Sequence, residues 1–448
     1  MTSSAASISA LAVLGDRAAD TGSRTYVPHV VAWNLTRRCN LECAHCYIAA
    51  GPAAQAADEL TTAECLRIMD EIVALNSSPM FILSGGEPLL RDDLATLARG
   101  AADRGATVVI GTNGTLLTDE KIEELKDAGV MGVAVSVESL DSRYHDRFRH
   151  GHGSLAATLQ AVDRLAGRRL DFVVQTTLTN HNRDELASLV EWAAERGAVA
   201  FNAYFLVTTG RGEGVRAFTP HEVEGALEEL VDLHQRYLGR MMVRAKCAPH
   251  FMRLVHQRAP GSPILNYRTR CPCGVDYCRV TPDGKLTPCP YWPAVAGDLR
   301  QQSFEEVWNQ APLFRELREG ALGGRCGVCE YRKLCGGCRA RAYAVHGDHV
   351  AEDPSCSYVP SGEAEVLEPA GAVMYGSDVE PEMTWSPEAQ ERLTRIPSFV
   401  RGVAVRRVEE YARSRGLTMV TAELMKEVRK TMPVDFSKRL PFFLSDDA

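Results

Sequence analysis

The sequence predicts an α/β protein built as a partial (β/α)6 barrel, followed by a loop-rich cysteine region and a small C-terminal helical domain. Three observations predict this fold class. Between residues 30 and 210, six short β-branched runs alternate with helical patterns; ten of the fourteen cysteines lie within residues 247–356; and a helical pattern resumes near Trp385. Strands separated by helices pair in parallel, and six such units are too few for a closed eight-stranded barrel.

The predicted strands are short runs rich in β-branched and aromatic residues. They span residues 29–35, 80–83, 107–111, 132–137, 172–178 and 198–205. The clearest helix between them begins at Thr61, which forms a predicted capping box with Glu64. Because ligands of such sheets bind at the carboxyl ends of the strands, the segments that follow the strands form the candidate site.

The chain divides by composition into five predicted segments. Residues 342–391 contain no Lys or Arg but eleven acidic residues, and this bias is typical of a linker. The predicted organisation is a flexible N-terminus (1–28), a barrel domain (29–240), a cysteine-rich domain (241–358), an acidic linker (359–383) and a helical domain (384–448).

Composition excludes several classes of protein. Fifty Lys and Arg against 58 Asp and Glu give a net charge of −8, which disfavours nucleic-acid binding. No run reaches the ~20 apolar residues that cross a bilayer, and no basic segment precedes the mildly apolar residues 7–15. We therefore expect a cytoplasmic protein with no membrane span. A large chain in a reducing compartment does not need disulfides, so its clustered cysteines indicate metal ligands.

The first cysteine cluster directly follows the first predicted strand. Cys39, Cys43 and Cys46 form a CxxxCxxC loop, which presents three thiolates from one short segment. Three thiolates can bind three irons of a 4Fe–4S cluster and leave the fourth iron open to another ligand. A structural zinc loop is the alternative, but zinc takes a fourth ligand and none occurs at a usual offset.

Polar segments end the second, third and fourth predicted strands. Their sequences are Ser-Gly-Gly-Glu-Pro at 84–88, Gly-Thr-Asn-Gly at 111–114 and Ser-Val-Glu at 136–138. Glycine lets the backbone approach a ligand closely. Three polar strand ends in register with a CxxxCxxC loop indicate one ligand site at this edge of the sheet.

These motifs resemble those of the radical S-adenosylmethionine (SAM) superfamily, and residues 30–210 resemble its partial barrel. The resemblance implies that the CxxxCxxC cysteines bind a 4Fe–4S cluster whose open iron chelates SAM. An electron from the cluster would cleave SAM to a 5′-deoxyadenosyl radical, which abstracts hydrogen from an unactivated C–H bond. A reductant such as flavodoxin or ferredoxin would supply the electron. The residues matched to SAM contacts are His45, Gly85, Gly86, Glu87, Thr112 and Ser136.

The second cysteine region has a different spacing. Its pattern is Cys271-x-Cys273, Cys278, Gly284-x4-Cys289, Cys326-x2-Cys329, Cys335-x2-Cys338 and Cys356. Two CxxC pairs could form one zinc knuckle, but this interpretation leaves several cysteines without a role. The pattern is similar to the SPASM extension of radical SAM enzymes, which implies two auxiliary 4Fe–4S clusters.

The SPASM resemblance also assigns the ligands. Those of the first auxiliary cluster are Cys271, Cys278, Cys289 and Cys338, and those of the second are Cys326, Cys329, Cys335 and Cys356. Cys273 lies two residues from Cys271 and could replace it. Cys247 has no assigned role, and Cys65 lies in an apolar helix and is expected in the core.

The expected substrate class comes from resemblance as well. Residues 30–39 and 335–356 are similar to enzymes of the alternative haem and haem d1 pathways. Segments within 385–413 resemble the small helical domain that ends a subunit of light-independent protochlorophyllide reductase. The implied partner is a tetrapyrrole or another carboxylate-bearing substrate, and the implied reaction is oxidative decarboxylation of propionates in haem-type biosynthesis.

Two other functions stay open on the sequence. A SPASM peptide maturase would form thioether or carbon–carbon links on a ribosomal precursor, and an iron–sulfur electron carrier would not cleave SAM. No general acid or base can be assigned. Five arginines could hold substrate carboxylates by bidentate pairs, although each is also explained as a surface residue; they are Arg37, Arg38, Arg211, Arg339 and Arg341.

Overall fold

The fold is described from a computed structural model of the chain. It covers residues 26–266, 270–362, 364–368, 380–394, 396 and 398–430. Most of the predicted flexible N-terminus, part of the predicted acidic linker and the end of the predicted helical domain lie outside these described residues.

Ten strands of the described chain form one sheet. They are β1 (Val30–Asn34), β2 (Met80–Ser84), β3 (Thr107–Thr112), β4 (Val130–Ser136), β5 (Asp171–Leu178), β6 (Ala200–Phe205), β7 (Met242–Lys246), β8 (Tyr277–Val280), β9 (Lys285–Thr287) and β10 (Gly297–Asp298). Their spatial order is β10-β9-β8-β1-β2-β3-β4-β5-β6-β7. The neighbours from β8 through β1 to β7 are parallel, whereas β9 and β10 are antiparallel additions. In the described sheet, β7 and β10 lie at opposite edges and do not pair with each other, so the sheet does not close into a complete barrel. The predicted partial barrel is therefore confirmed.

Helices cover the sheet and continue beyond it. They are α1 (Thr62–Leu75), α2 (Leu94–Asp103), α3 (Asp119–Asp127), α4 (Ser142–Arg149), α5 (Ser154–Gly167), α6 (Leu186–Glu195), α7 (Pro220–Arg236), α8 (Phe251–Arg258), α9 (Phe304–Gln310), α10 (Pro312–Glu319), α11 (Gly324–Val328), α12 (Arg339–His346), α13 (Pro387–Thr394), α14 (Ser398–Ser414) and α15 (Ala422–Lys430). The predicted capping box of Thr61 and Glu64 starts α1. Within the described part of the chain, no helix has the length and apolar character needed to cross a bilayer.

The sequence did not predict β7. Residues 211–250 have a mainly helical pattern, yet they contain both α7 and β7. The strand reads Met-Val-Arg-Ala-Lys and pairs in parallel with β6. Because Arg244 and Lys246 alternate with apolar residues, the segment lacks the continuous β-branched run by which the other strands were predicted. β7 extends the parallel sheet of the barrel by one strand.

Alternation along the strands gives the barrel two unlike faces. In β1, the side chains of Val31 and Trp33 are fully buried in the apolar core shared with the helices. Side chains of successive strand residues point to opposite faces, so Asn34 lies on the inner face. The same alternation places Asn202 and Tyr204 of β6 on that face, because Phe201, Ala203 and Phe205 belong to the core. The inner face of the barrel is therefore polar.

The C-terminal helical region has a core of its own. Helices α13, α14 and α15 pack around Trp385, Val405, Val408 and Val428. Two short strands, β11 (Thr384–Trp385) and β12 (Met419–Val420), pair in parallel beside these helices. The helical character predicted for this region is confirmed.

Candidate active site

The CxxxCxxC loop leaves the carboxyl end of β1. Two of its sulfurs accept backbone hydrogen bonds, Cys39 Sγ from the Leu41 N–H (3.4 Å) and Cys46 Sγ from the Ala50 N–H (3.3 Å). Burial raises the pKa of the Cys39 thiol to about 12, so an electropositive partner is needed before this sulfur ionises. Three sulfurs on one short loop, two of them already accepting N–H bonds, fit the thiolate donor set of an iron–sulfur cluster. We find no group of three Cys, His, Asp or Glu side chains placed to hold a single metal ion in the described ranges.

The Gly-Gly segment after β2 packs directly on this loop. The Gly86 N–H donates to the Thr36 carbonyl (2.7 Å), and the Glu87 N–H donates to the Arg38 carbonyl (2.8 Å). A Cβ on Gly86 would lie 2.3 Å from the Arg38 carbonyl oxygen, and one on Gly85 would lie 2.6 Å from the Thr36 carbonyl oxygen. Only residues without a Cβ permit this backbone contact. Gly85 and Gly86 therefore fix where the cluster loop sits.

The Glu87 carboxylate joins the ends of β2 and β3. It is fully buried and accepts hydrogen bonds from the Leu89 N–H, the Thr112 hydroxyl (2.8 Å) and the Asn113 N–H (2.9 Å). Burial raises the pKa of Glu87 to about 6, against the effect of these donors. Asn113 then donates through Nδ2 toward Cys39 Sγ (3.8 Å). Glu87 and Thr112 thus hold each other and the cluster loop in place.

Ser136 and His45 complete the set that the sequence matched to SAM contacts. Ser136 ends β4 and is half-buried. The His45 ring stacks on Phe148 with centroids 4.8 Å apart, and its Nε2 lies 3.5 Å from a Glu138 oxygen. Burial lowers the pKa of His45 to about 4, so the ring is neutral near pH 7. All six SAM-contact residues lie at this end of the sheet, and their direct contact with SAM stays a prediction.

Arg211, which the sequence offered as a carboxylate ligand, contacts the cluster loop instead. It lies in the 3-10 turn Gly210–Gly214 after β6. Its Nε donates to the Cys43 carbonyl (2.9 Å) and its Nη2 to the Ala50 carbonyl (2.7 Å). The guanidinium therefore braces the cluster loop and is not free to bind a substrate carboxylate. Only its position after a strand could have indicated a place in the site.

The structure brings together three of the four cysteines predicted for the first auxiliary site, with two other cysteines. Cys271 Sγ lies 3.2 Å from Cys273 Sγ. Cys338 is within hydrogen-bond reach of Cys271 and Cys247, and Cys273 is within reach of Cys289. These five thiols form one group, described below as the five-thiol group. Cys247 directly follows β7 and has a φ of +59°, a conformation that is uncommon for a non-glycine residue.

Cys278 does not belong to the five-thiol group. It lies in β8 and is fully buried in the apolar core that the barrel shares with the helices. Its neighbours Tyr277 and Arg279 take the inner face of the barrel, because strand side chains alternate. The structure thus places Cys278 apart from the other four predicted or alternative ligands, and its ligand role stays a prediction; Cys273 lies in the group that we propose to hold the cluster.

The second auxiliary site gathers all four of its predicted cysteines. Cys326, Cys329, Cys335 and Cys356 line one cavity of about 460 Å³. Cys326 Sγ accepts the Asp353 N–H (3.4 Å), and Cys335 Sγ accepts the Gly337 N–H (3.4 Å). The donor set fits a 4Fe–4S cluster, whose sulfurs commonly accept backbone N–H bonds.

Three of the four other arginines considered as carboxylate ligands have structural partners, whereas the buried Nε of Arg38 has none among the described residues. Arg339 donates to the His349 and Ala351 carbonyls, both at 2.7 Å. Arg341 donates to carbonyls at the ends of β6 and β7. Arg37 is an exposed residue that pairs with Asp283 at 3.5 Å.

Replacement of Cys278 should leave the iron content of the protein unchanged. The Cys278→Ala variant, reconstituted anaerobically, is expected to keep its iron and sulfide, whereas Cys273→Ala should lose about four irons per chain. Iron and sulfide analysis with electron paramagnetic resonance of the reduced protein measures both. A loss of one cluster from Cys278→Ala would support the ligand set that the SPASM resemblance implies.

The fold and the site together define a radical SAM enzyme with a SPASM extension. Comparison with known families agrees: residues 33–193 match the radical SAM superfamily, and residues 271–339 match the SPASM iron–sulfur cluster-binding domain. Residues 385–429 match a third family, described as the proto-chlorophyllide reductase 57 kD subunit. The chain belongs to the radical SAM superfamily.

Several relatives are similar over most of their length. The AdoMet-dependent heme synthase of Methanosarcina barkeri is 40% identical over 75% of this chain and 98% of that protein. The pre-heme d1 synthase of Dinoroseobacter shibae is 30% identical, over 75% of this chain and 87% of that protein. The mycofactocin maturase of Mycobacterium ulcerans is 29% identical, over 73% and 88%. Among solved structures, Streptococcus suis SuiB bound to S-adenosylmethionine has the same fold, with a TM-score of 0.61 at 14% identity over 74% of this chain and 78% of that one.

The chain is therefore an enzyme that uses a 4Fe–4S cluster, SAM and auxiliary iron–sulfur clusters. When bound, these groups supply and accept the single electrons of radical chemistry. The protein contributes the loop that presents three sulfurs, the glycines that seat it, and a barrel that keeps water from a reactive radical.

Proposed function

We propose that the enzyme oxidatively decarboxylates propionate side chains of a tetrapyrrole in haem-type biosynthesis. A hydrogen atom leaves the carbon β to the carboxyl group and is taken up as 5′-deoxyadenosine. The C–COO⁻ bond then breaks, CO2 departs and a vinyl group remains. One electron is left over for each propionate, and an oxidised iron–sulfur cluster is the class of acceptor that balances the reaction.

One observation carries this proposal. The identity of 40% to a protein named as a heme synthase extends over 98% of that protein, so it includes the barrel and the cysteine-rich region together. The match of residues 385–429 to a protochlorophyllide reductase subunit points to the same class of substrate. We further propose a cytoplasmic enzyme that takes its electron from a flavodoxin or ferredoxin.

The cysteine ligands of the clusters are part of the proposal. Cys39, Cys43 and Cys46 would hold the SAM-binding cluster. The five-thiol group would hold the first auxiliary cluster, and the cysteines around the 460 Å³ cavity would hold the second. His45, Gly85, Gly86, Glu87, Thr112 and Ser136 would surround SAM.

Fe-coproporphyrin III should be consumed by the reconstituted enzyme. Under anaerobic conditions with SAM and a reductant, we expect 5′-deoxyadenosine to form faster when the porphyrin is present. The porphyrin should lose the mass of one or two molecules of CO2 with two hydrogens each, and liquid chromatography with mass spectrometry measures both products. A Cys43→Ala variant is the control, because it removes one proposed ligand of the SAM-binding cluster.

A peptide maturase is the second candidate, favoured by the 29% identity to a mycofactocin maturase. Slow formation of 5′-deoxyadenosine together with an unchanged porphyrin mass would favour it over the proposed function. Failure to cleave SAM under any condition would favour an electron carrier. The glycine-seated cluster loop argues against a carrier, since electron transfer needs no open iron.

A further inference from the structure

The inner face of the barrel carries cations on its last parallel strands. In β7, Val243 belongs to the apolar core, so alternation places Arg244 and Lys246 on the inner face. In β8, the core positions are Cys278 and Val280, so Arg279 lies on the inner face as well. β7 and β8 are separated along the sheet by β1 to β6. Tyr204, which lies beside Lys246 in the register of β6 and β7, nevertheless acts electrostatically on Tyr277 of β8, so the inner faces of the two edges meet at one space.

No ion pair joins any of these three cations to a carboxylate within the ranges that the structure describes. Asp283 acts on Arg279 from beyond ion-pair distance and pairs with Arg37 instead. In the register of β6 and β7, Arg244 lies beside Asn202 and Lys246 beside Tyr204, both uncharged. The Nη1 of Arg279 donates to the Pro290 carbonyl (2.7 Å), but its buried Nε has no partner.

Keeping unpaired cations inside a protein costs free energy. Arg279 is buried, so its charge carries this cost. An anionic ligand would offset it, because a carboxylate and a guanidinium form charge-assisted hydrogen bonds. The unpaired charges therefore point to a bound anion.

Aromatic rings surround the same space. Tyr47 and Tyr291 face each other with ring centroids 5.2 Å apart, and the Arg279 guanidinium lies 6.0 Å from the centre of the Tyr47 ring. The Tyr47 hydroxyl accepts a hydrogen bond from the Asn34 amide (2.8 Å). Tyr204 is close enough to Tyr291 to act on it electrostatically. Flat apolar rings beside cations suit a ligand that is both aromatic and acidic.

The residues around this space are adjacent in sequence to both kinds of iron–sulfur site. Tyr47 directly follows Cys46 of the cluster loop, and Lys246 directly precedes Cys247 of the five-thiol group. A substrate between them would lie beside the SAM-binding end of the barrel and beside an auxiliary cluster. The reaction of the proposed function needs both positions, one for hydrogen abstraction and one for the electron that leaves.

We propose that Arg244, Lys246 and Arg279 bind the carboxylates of the substrate inside the barrel, with Tyr47 and Tyr291 contacting its aromatic ring system. This inference rests on the proposed function and names the residues that recognise the propionate groups. These residues replace the five arginines that the sequence suggested as carboxylate ligands. Three of those five, Arg211, Arg339 and Arg341, donate to backbone carbonyls instead.

The test compares an acidic ligand with its ester. Fe-coproporphyrin III and its tetramethyl ester are titrated into anaerobically reconstituted holoenzyme, and binding is followed by the porphyrin absorbance. We expect the wild-type protein to prefer the acid by on the order of 100-fold or more, since several charge-assisted bonds are lost in the ester. In Lys246→Met and Arg279→Met the preference should fall by about tenfold each, whereas Lys246→Arg should keep it.

A matched control separates this role from a general effect of lost charge. Arg216→Gln removes an exposed arginine that pairs with Glu222 and should leave the preference unchanged. Equal iron content and circular dichroism show that each variant is folded. If the wild-type protein binds neither porphyrin, the proposed function fails together with this assignment. If it binds and converts the acid but the Met variants keep the full preference over the ester, only this assignment fails.

Discussion

Gly86→Ala is expected to lower the rate of SAM cleavage by about 100-fold or more, because it displaces the cluster loop. The new methyl group would meet the Arg38 carbonyl at 2.3 Å and the Ala50 Cβ at 3.0 Å. Neither atom can move without shifting the loop that carries Cys39, Cys43 and Cys46. A displacement of about 1 Å between reacting groups is enough for a loss of this size.

The measurement is the rate of 5′-deoxyadenosine formation, with iron content determined on the same samples. Gly225→Ala is the matched control, since a Cβ at Gly225 in α7 meets no atom within 4 Å. That variant should keep its activity and gain up to about 1 kcal/mol of stability from helix propensity. Normal activity and iron content in Gly86→Ala would show that the loop tolerates the displacement.

The sequence predicted the first six strands and the cluster loop because both are local features. Each strand from β1 to β6 is a continuous β-branched or aromatic run, so its pattern is readable without knowledge of its neighbours. The CxxxCxxC loop and the Gly-Gly strand end are short motifs whose spacing alone indicates chemistry. Their mutual contact follows from parallel pairing of β1 and β2.

Long-range proximity could not be predicted from the same patterns. Cys247 joins the five-thiol group only because β7 ends beside the loop that contains Cys271 and Cys273. The SPASM resemblance assigned Cys278 as a ligand, although the sequence Tyr277-Cys278-Arg279-Val280 alternates polar and apolar residues in the manner of a strand. That alternation was the signal that Cys278 faces the core.

The roles of the arginines could not be predicted from the sequence either. A guanidinium can bind a carboxylate or a set of backbone carbonyls with equal suitability, so sequence does not distinguish the two roles. The structure assigns Arg211 and Arg341 to carbonyls. It places Arg244 and Arg279 on a polar inner face that no composition or motif indicated.

Arg341→Met is expected to destabilise the protein by about 3–5 kcal/mol, because it breaks a buried ion pair by removing one partner. Arg341 lies 3.3 Å from the carboxylate of Asp353, which is fully buried. The same guanidinium donates to the Cys247 and Phe205 carbonyls, at 2.8 Å and 3.1 Å. It therefore links the ends of β6 and β7 to the segment that carries Cys356.

Removal of Arg341 leaves the Asp353 charge without compensation. Burial alone would raise the pKa of Asp353, but Arg341 and backbone N–H donors hold it near 2, so the carboxylate stays ionised in the intact protein. Urea titrations of anaerobically reconstituted protein measure the loss of stability. Arg168→Met is the control, since its partner Asp119 is exposed and such pairs contribute at most about 1 kcal/mol. Adding Asp353→Asn to Arg341→Met should recover part of the loss, because the stranded charge is then absent; equal losses in the single and double variants would instead assign the stability to the carbonyl contacts alone.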